Sequence, residues 1–125
     1  MTNPSELKYA RSDEWAKDDG DFITIGITDY AQHELGEIVF VELPDIGANI
    51  VAGAPFGVVE SVKAVSDLYA PVSGKITKIN QELVNDPSPV NTDPFGKAWM
   101  VEIEMSDEGE MQKLLNAQAY GAHAQ

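Results

Sequence analysis

Apolar and polar residues alternate along much of this chain with the period of a half-buried strand. In Phe22-Ile23-Thr24-Ile25-Gly26-Ile27, Ile23, Ile25 and Ile27 fall on one face. Glu14-Trp15-Ala16 precedes this run across Asp19-Gly20, and the pair predicts a β-hairpin. Asp-Gly suits the turn because glycine accepts positive φ without a Cβ clash. Thr28-Asp29 then reads as a helix start, residues 30–35 as a short helix, and Gly36 as its stop. Residues 37–43 are β-rich through Ile38, Val39, Phe40 and Val41. They end at Pro44, which has no N–H to give a ladder.

Strand-like segments follow at 50–52, 56–62, 65–69 and 75–79, punctuated by Gly47, Gly53, Pro71 and Gly74. That spacing belongs to small β-sandwiches and barrels. Asn80 reads as the cap of a brief helix before a loop at Pro87 and Pro89. Residues 99–103 return as a strand with Trp99, Val101 and Ile103 on one face. Asp107 and Glu110 have the spacing of a capping box, and Met111, Leu114 and Leu115 follow at helical spacing. Trp15, Trp99 and the Leu114/Leu115 stripe read as core. The expectation is one domain over residues 1–125: a small β-rich sandwich with short helices and a C-terminal helix, frayed over residues 120–125.

Charge narrows the partners. With 21 acidic against 8 basic side chains the net charge is −13, which repels nucleic acid and anionic membrane and suits docking on basic protein surfaces. Hydrophobic residues at 43% are enough for a core. Cysteine is absent, which removes disulfides, thiol catalysis and thiolate metal sites and fits a reducing compartment. The longest nearly uncharged apolar stretch, residues 50–59, is broken by Gly53, Pro55 and Gly57. It falls well short of the about 20 residues a spanning helix needs. The start, Met1-Thr2-Asn3-Pro4, lacks a basic and apolar signal pattern. A cytoplasmic protein is expected, although a mature organelle form would read the same.

Enzyme motifs fail along the whole chain. His33-Glu34 opens like a zinc-protease helix, but Glu37 stands where the second histidine belongs. The other histidine, His123, lies in the tail, so no metal site is expected. Asp18-Asp19-Gly20-Asp21 lacks the remainder of a calcium loop and reads as a solvated turn. No nucleophile elbow, phosphate loop or dinucleotide fingerprint is present, and no catalytic residue is assigned.

Lys63 stands apart from the other lysines because strand patterns abut it on both sides. The run Phe56-Gly57-Val58-Val59-Glu60-Ser61-Val62-Lys63-Ala64-Val65-Ser66-Asp67-Leu68-Tyr69 leaves room only for a tight hairpin with its amine in water. Spacing alone favours a solubilising turn lysine. A rigid tip is equally a place where a modifying enzyme reads a lysine and where a carried group reaches several partners.

The surrounding residues add to this reading. Gly47, Ile50, Phe56, Val59, Lys63, Leu68, Gly74 and Ile76 resemble the lipoyl-attachment motif of lipoyl domains, with Gly74 eleven positions past the lysine. Biotin carriers share this architecture but place methionine on both sides of the lysine, where Val62 and Ala64 stand here. Further runs resemble the H-protein family of the glycine cleavage system: Gly26-Ile27-Thr28-Asp29-Tyr30-Ala31-Gln32, Leu35-Gly36, Val41-Glu42-Leu43-Pro44, Glu60-Ser61-Val62-Lys63-Ala64 and Pro71-Val72-Ser73-Gly74. Asn91, Asp93-Pro94-Phe95-Gly96 and Trp99 extend the likeness, which spans roughly residues 7 to 119. One departure is Ser12-Asp13-Glu14-Trp15, where the family commonly has histidine in place of Asp13.

The resemblance implies a hybrid β-sandwich/barrel of the lipoyl/biotinyl-carrier type and a carrier that is not itself an enzyme. Lipoate would be joined to Lys63 by a lipoate-attaching enzyme that reads Glu60, Ser61, Val62, Ala64, Asp67 and Gly74. The arm would receive an aminomethyl group from glycine decarboxylase (the P protein) and yield its one-carbon unit to aminomethyltransferase (the T protein). Dihydrolipoamide dehydrogenase (the L protein) would then reoxidise it. Ser12, Glu14 and Asp67 are expected to line a cleft that shelters the cationic amine. The chain is expected to be a monomer. The alternatives are a lipoate-relay carrier for other enzymes and an unmodified interaction module of the same fold.

Overall fold

The computed structural model describes residues 3–124. Its strands are β1 Lys8–Tyr9, β2 Glu14–Asp18, β3 Phe22–Ile27, β4 Ile38–Glu42, β5 Asn49–Ile50, β6 Pro55–Ser61, β7 Val65–Tyr69, β8 Gly74–Ile79 and β9 Val101–Met105. Short helices interrupt them: α1 Asp29–Leu35, α2 Gln81–Asn85, α3 Pro89–Thr92, α4 Gly109–Gln112 and α5 Ala117–Ala124. The strands form a large sheet in the order β1-β2-β3-β9-β8-β5 and a small sheet in the order β4-β6-β7. The pairing is antiparallel in both.

Alternation decides what goes inside. Ile23, Ile25, Ile76, Val101 and Ile103 of the large sheet meet Val41, Val59 and Leu68 of the small one in a single buried cluster. A second cluster holds Leu7, Tyr9, Trp15 and Tyr120, with Phe95, Trp99 and Leu115 packed on it. Gly26 makes room for it, because a Cβ there would stand 2.6 Å from the Trp15 ring. The indole N–H of Trp15 donates to Pro94 O at 3.0 Å.

The helix over 29–35 forms as expected. Thr28 Oγ1 accepts from Ala31 N at 3.1 Å, and Gly36, at φ 83°, ends the helix. Three expectations fail at the level of side-chain partners. Asn80 stands at the cap of α2 but spends its amide on Lys97 O and Trp99 O, at 2.9 and 2.7 Å. Glu110 makes no capping box: its carboxylate accepts from Ser73 N at 2.7 Å and Ser73 Oγ at 3.0 Å. The stripe at 111, 114 and 115 splits, since Met111 and Leu114 pack on the main core while Leu115 bridges to Tyr9. In each case a longer-range partner replaces the local one.

Two further differences concern the loop and the tail. Residues 89–92 form α3 where a loop was expected. Residues 117–124 form α5 rather than a frayed end, because Tyr120 is fully buried. Gln125 lies outside the described residues.

Candidate functional site

Lys63 sits at the tip of the β6–β7 hairpin, and the tip closes without glycine. Ser61 N donates to Ala64 O at 2.8 Å, while Ser61 Oγ accepts from Lys63 N at 3.3 Å and Ala64 N at 3.1 Å. The buried serine thus supplies the acceptor a two-residue turn needs, with no residue of the tip at positive φ. The tip is also held from the side, since Val62 N donates to Glu37 O at 3.0 Å. Val62, Lys63, Ala64 and Val65 are all exposed. The lysine stem passes over Gly36, where a Cβ would lie 3.7 Å from Lys63 Cε.

Gly36 is itself fixed by Asn91. Asn91 Nδ2 donates to Gly36 O and Gln32 Oε1, each at 2.9 Å, and its Oδ1 accepts from Ile38 N at 2.8 Å. One amide therefore ties the end of α1 to the start of β4, on either side of Glu37, whose carbonyl tethers the tip. The sequence placed Asn91 in a recognisable run without assigning it this role.

Beside the tip lies a cleft of about 140 Å³ lined by Ser12, Asp13, Glu14, α1 (Ala31, Glu34, Leu35) and β7 (Ser66, Asp67, Leu68), with Ile27 and Val59 at its base. The three expected cleft residues, Ser12, Glu14 and Asp67, are brought together here. Asp13, Glu34 and Ser66 were not anticipated. Glu14 comes from the large sheet and reaches the open edge of β7, accepting from Tyr69 N at 3.1 Å and from Ser12 Oγ. Burial pushes its carboxyl up to about 7, against the lowering effect of the Ser12 and Tyr69 hydrogen bonds. A carboxylate offers about four lone-pair sites, so acceptor capacity remains on Glu14.

The attachment residues divide. Glu60, Ser61, Val62 and Ala64 surround the tip, and Asp67 lies farther along β7 in the cleft wall. Gly74 is separate: it sits in the large sheet, paired with Ile50 and Met105. Its missing side chain is accounted for by the Glu104 carbonyl, which a Cβ would strike. Among the described residues no group of His, Asp and Glu could hold a metal ion, and His33 is exposed. No helix among them is long and apolar enough to cross a membrane.

The model of the family described as "Glycine cleavage H-protein" matches residues 7–125. The chain belongs to the glycine cleavage H-protein family. That family supplies the carrier of glycine cleavage, and this chain is such a carrier. The glycine cleavage system H protein of Carboxydothermus hydrogenoformans is 56% identical over 117 residues, covering 94% of this chain and 90% of that protein. The one from Staphylococcus saprophyticus is also 56% identical, over 96% of this chain and 95% of its own length. A crystal structure of the glycine cleavage system H protein from Mycobacterium marinum superposes with a TM-score of 0.88 at 36% identity. It covers 96% of this chain and 97% of that one. Asp13 is intermediate in exposure and lies on the cleft wall at φ 81°, so the departure from the family motif falls inside the site.

Proposed function

We propose that Lys63 carries lipoate as an amide and that the chain performs no bond chemistry of its own. The observation that supports this is the tip: an exposed lysine on a hairpin closed by Ser61 and tethered to Glu37, beside a cleft large enough to receive part of an arm. When attached, the lipoyl dithiolane supplies a disulfide that takes up a one-carbon amine unit and is later restored by oxidation. Ser61 holds the backbone of Lys63 and Ala64 in place. Gly36 leaves the stem a path past α1. Tethering at a fixed point raises the local concentration of the carried group at each partner. The partners are the glycine decarboxylase, the aminomethyltransferase, the dihydrolipoamide dehydrogenase and a lipoate-attaching enzyme, met in solution by a protein of net charge −13.

The cleft has a second task in this reading. Glu14 and Asp67 give it negative charge, and Ser12 keeps one Glu14 oxygen in place. A cationic amine brought there by the arm would find acceptors and be shielded from water. Near pH 7 Glu14 is divided between its charged and neutral forms, and approach of a cation favours the charged one.

The test is reconstitution. The chain is treated with a lipoate-attaching enzyme, mixed with glycine decarboxylase, and assayed for glycine-dependent carbon dioxide. Activity is expected for the wild type and none for Lys63→Arg; equal activity in both would overturn the assignment. Glu14→Ala and Asp67→Asn should each shorten the lifetime of the loaded carrier, and an unchanged lifetime removes the cleft from the mechanism.

A further inference from the structure

Tyr120 poses a question that packing alone does not answer. Its ring is fully buried and stacks on Tyr9, with centroids 4.8 Å apart and planes 13° from parallel. Phenylalanine would fill that space equally well. A buried hydroxyl is costly unless it is hydrogen-bonded, and this one is bonded twice: to Asp13, which lines the cleft, and to Thr28, which caps the helix that supplies Ala31, Glu34 and Leu35 to it. Tyr120 Oη donates to Asp13 Oδ1 at 2.8 Å and lies 2.7 Å from Thr28 Oγ1. The phenol has a single proton, which goes to the carboxylate, so Thr28 donates to Tyr120. Thr28 Oγ1 in turn accepts from Ala31 N at 3.1 Å. The result is one ordered relay: Ala31 N–H to Thr28 O–H to Tyr120 O–H to the Asp13 carboxylate.

Each end of that relay belongs to the cleft. Asp13 lies between Ser12 and Glu14, and all three line it. Ala31 begins the run of α1 that supplies Glu34 and Leu35 to the opposite wall. Asp13 is also the one non-glycine residue at positive φ among the described residues. Such a conformation persists where surrounding bonds over-determine it. Here Asp13 N donates to Ala10 O at 3.1 Å, Thr28 N donates to Asp13 O at 3.0 Å, and the Tyr120 hydroxyl holds the side chain. Tyr120 does not itself line the cleft.

We propose that Tyr120 is a positioning residue: from α5 its hydroxyl sets two of the three walls of the arm cleft, holding residues 12–14 through Asp13 and α1 through Thr28. This deepens the reading of that cleft as the seat of the arm and rests on it. Asp13, which stands where the family motif has histidine, serves here as the acceptor for a phenol. The last helix is thereby coupled to the site without contributing to its lining.

Tyr120→Phe keeps the ring and its stack and removes only the hydroxyl. In the full chain without lipoate, amide exchange at Thr28 and Ala31 should accelerate about threefold to tenfold, the span expected for one lost hydrogen bond. After lipoylation and loading, the lifetime of the carried amine should shorten by a similar factor. Tyr9→Phe is the control: it removes the 2.6 Å bond from Tyr9 Oη to Pro4 O in the same aromatic pair and touches neither wall. It should leave both readouts at wild-type values. Wild-type exchange and lifetime in Tyr120→Phe, or equal changes in Tyr9→Phe, would overturn the proposal. The exchange readout needs no lipoate, so failure of wild-type protein to load would count against the carrier reading separately.

Discussion

Two hairpin tips in this protein solve the same problem by different means. The β2–β3 tip reverses through Gly20 at φ 89°, with Gly20 N donating to Asp18 Oδ1 at 2.9 Å and Asp19 N to Phe22 O at 2.9 Å. Its flanking lysine, Lys17, pairs with Asp19 across 3.8 Å of exposed surface. Thr24 Oγ1 adds a 3.3 Å bond to Asp19 Oδ2, again from within the hairpin. The β6–β7 tip uses no glycine, draws its acceptor from a buried serine and is tethered to Glu37. The first tip only has to turn the chain. The second also has to present one amine at a defined place beside the cleft, and the additional bonds serve that end.

The comparison can be broken at several levels. The largest effect is expected at Lys63. Lys63→Arg should abolish the gain of a lipoyl increment in intact mass while leaving the thermal midpoint unchanged, because the side chain is exposed. Asn91→Ala comes next. It removes three hydrogen bonds and leaves Ile38 N without its acceptor, for a loss of about 3 kcal/mol in denaturant unfolding. Modification should slow with it, since Gly36 and the start of β4 lose their anchor.

Glu14 introduces a pH dependence. Its folded value near 7 lies above the ordinary 4.5, so the folded state binds the proton more tightly than the unfolded chain. The associated stability is fully present below pH 4.5 and is lost as pH rises through 7, by on the order of 3 kcal/mol. Glu14→Gln should flatten that slope in unfolding curves taken between pH 4 and 8 at intervals of about one unit. The smallest effects separate the two tips. Ser61→Ala and Gly20→Ala should each cost about 1 kcal/mol, the former by lost hydrogen bonds and the latter by strain at positive φ. Only Ser61→Ala should slow lipoylation; equal slowing in both would remove the distinction between the tips.

Much of the fold was legible because its strands alternate cleanly. Ile23, Ile25 and Ile27 face inward as their period demands, and Thr28 and Gly36 bound α1 through local chemistry. The place of Lys63 at a hairpin tip was legible because little chain separates the strands around it, whereas its attachment role came from the family likeness. What could not be read were bonds between distant residues. Asn80 and Glu110 satisfy local capping patterns on paper, yet they serve backbone and side-chain groups far along the chain. Gly74 carries a motif position but answers to the backbone of β9. Tyr120 falls in the tail expected to fray, because its partners, Tyr9, Asp13 and Thr28, lie about a hundred residues away. Ser12, Glu14 and Asp67 were placed in one cleft through the family likeness; periodicity alone would have left Glu14 and Asp67 among many solvated carboxylates and Ser12 without a role.

The most direct test of the central claim is a site-resolved mass measurement on protein fully modified by a lipoate-attaching enzyme. The account predicts a single lipoyl increment confined to the peptide bearing Lys63, with Lys17 at the other tip untouched. An increment on Lys17 or on any other lysine, or none at all with a competent enzyme, would contradict it.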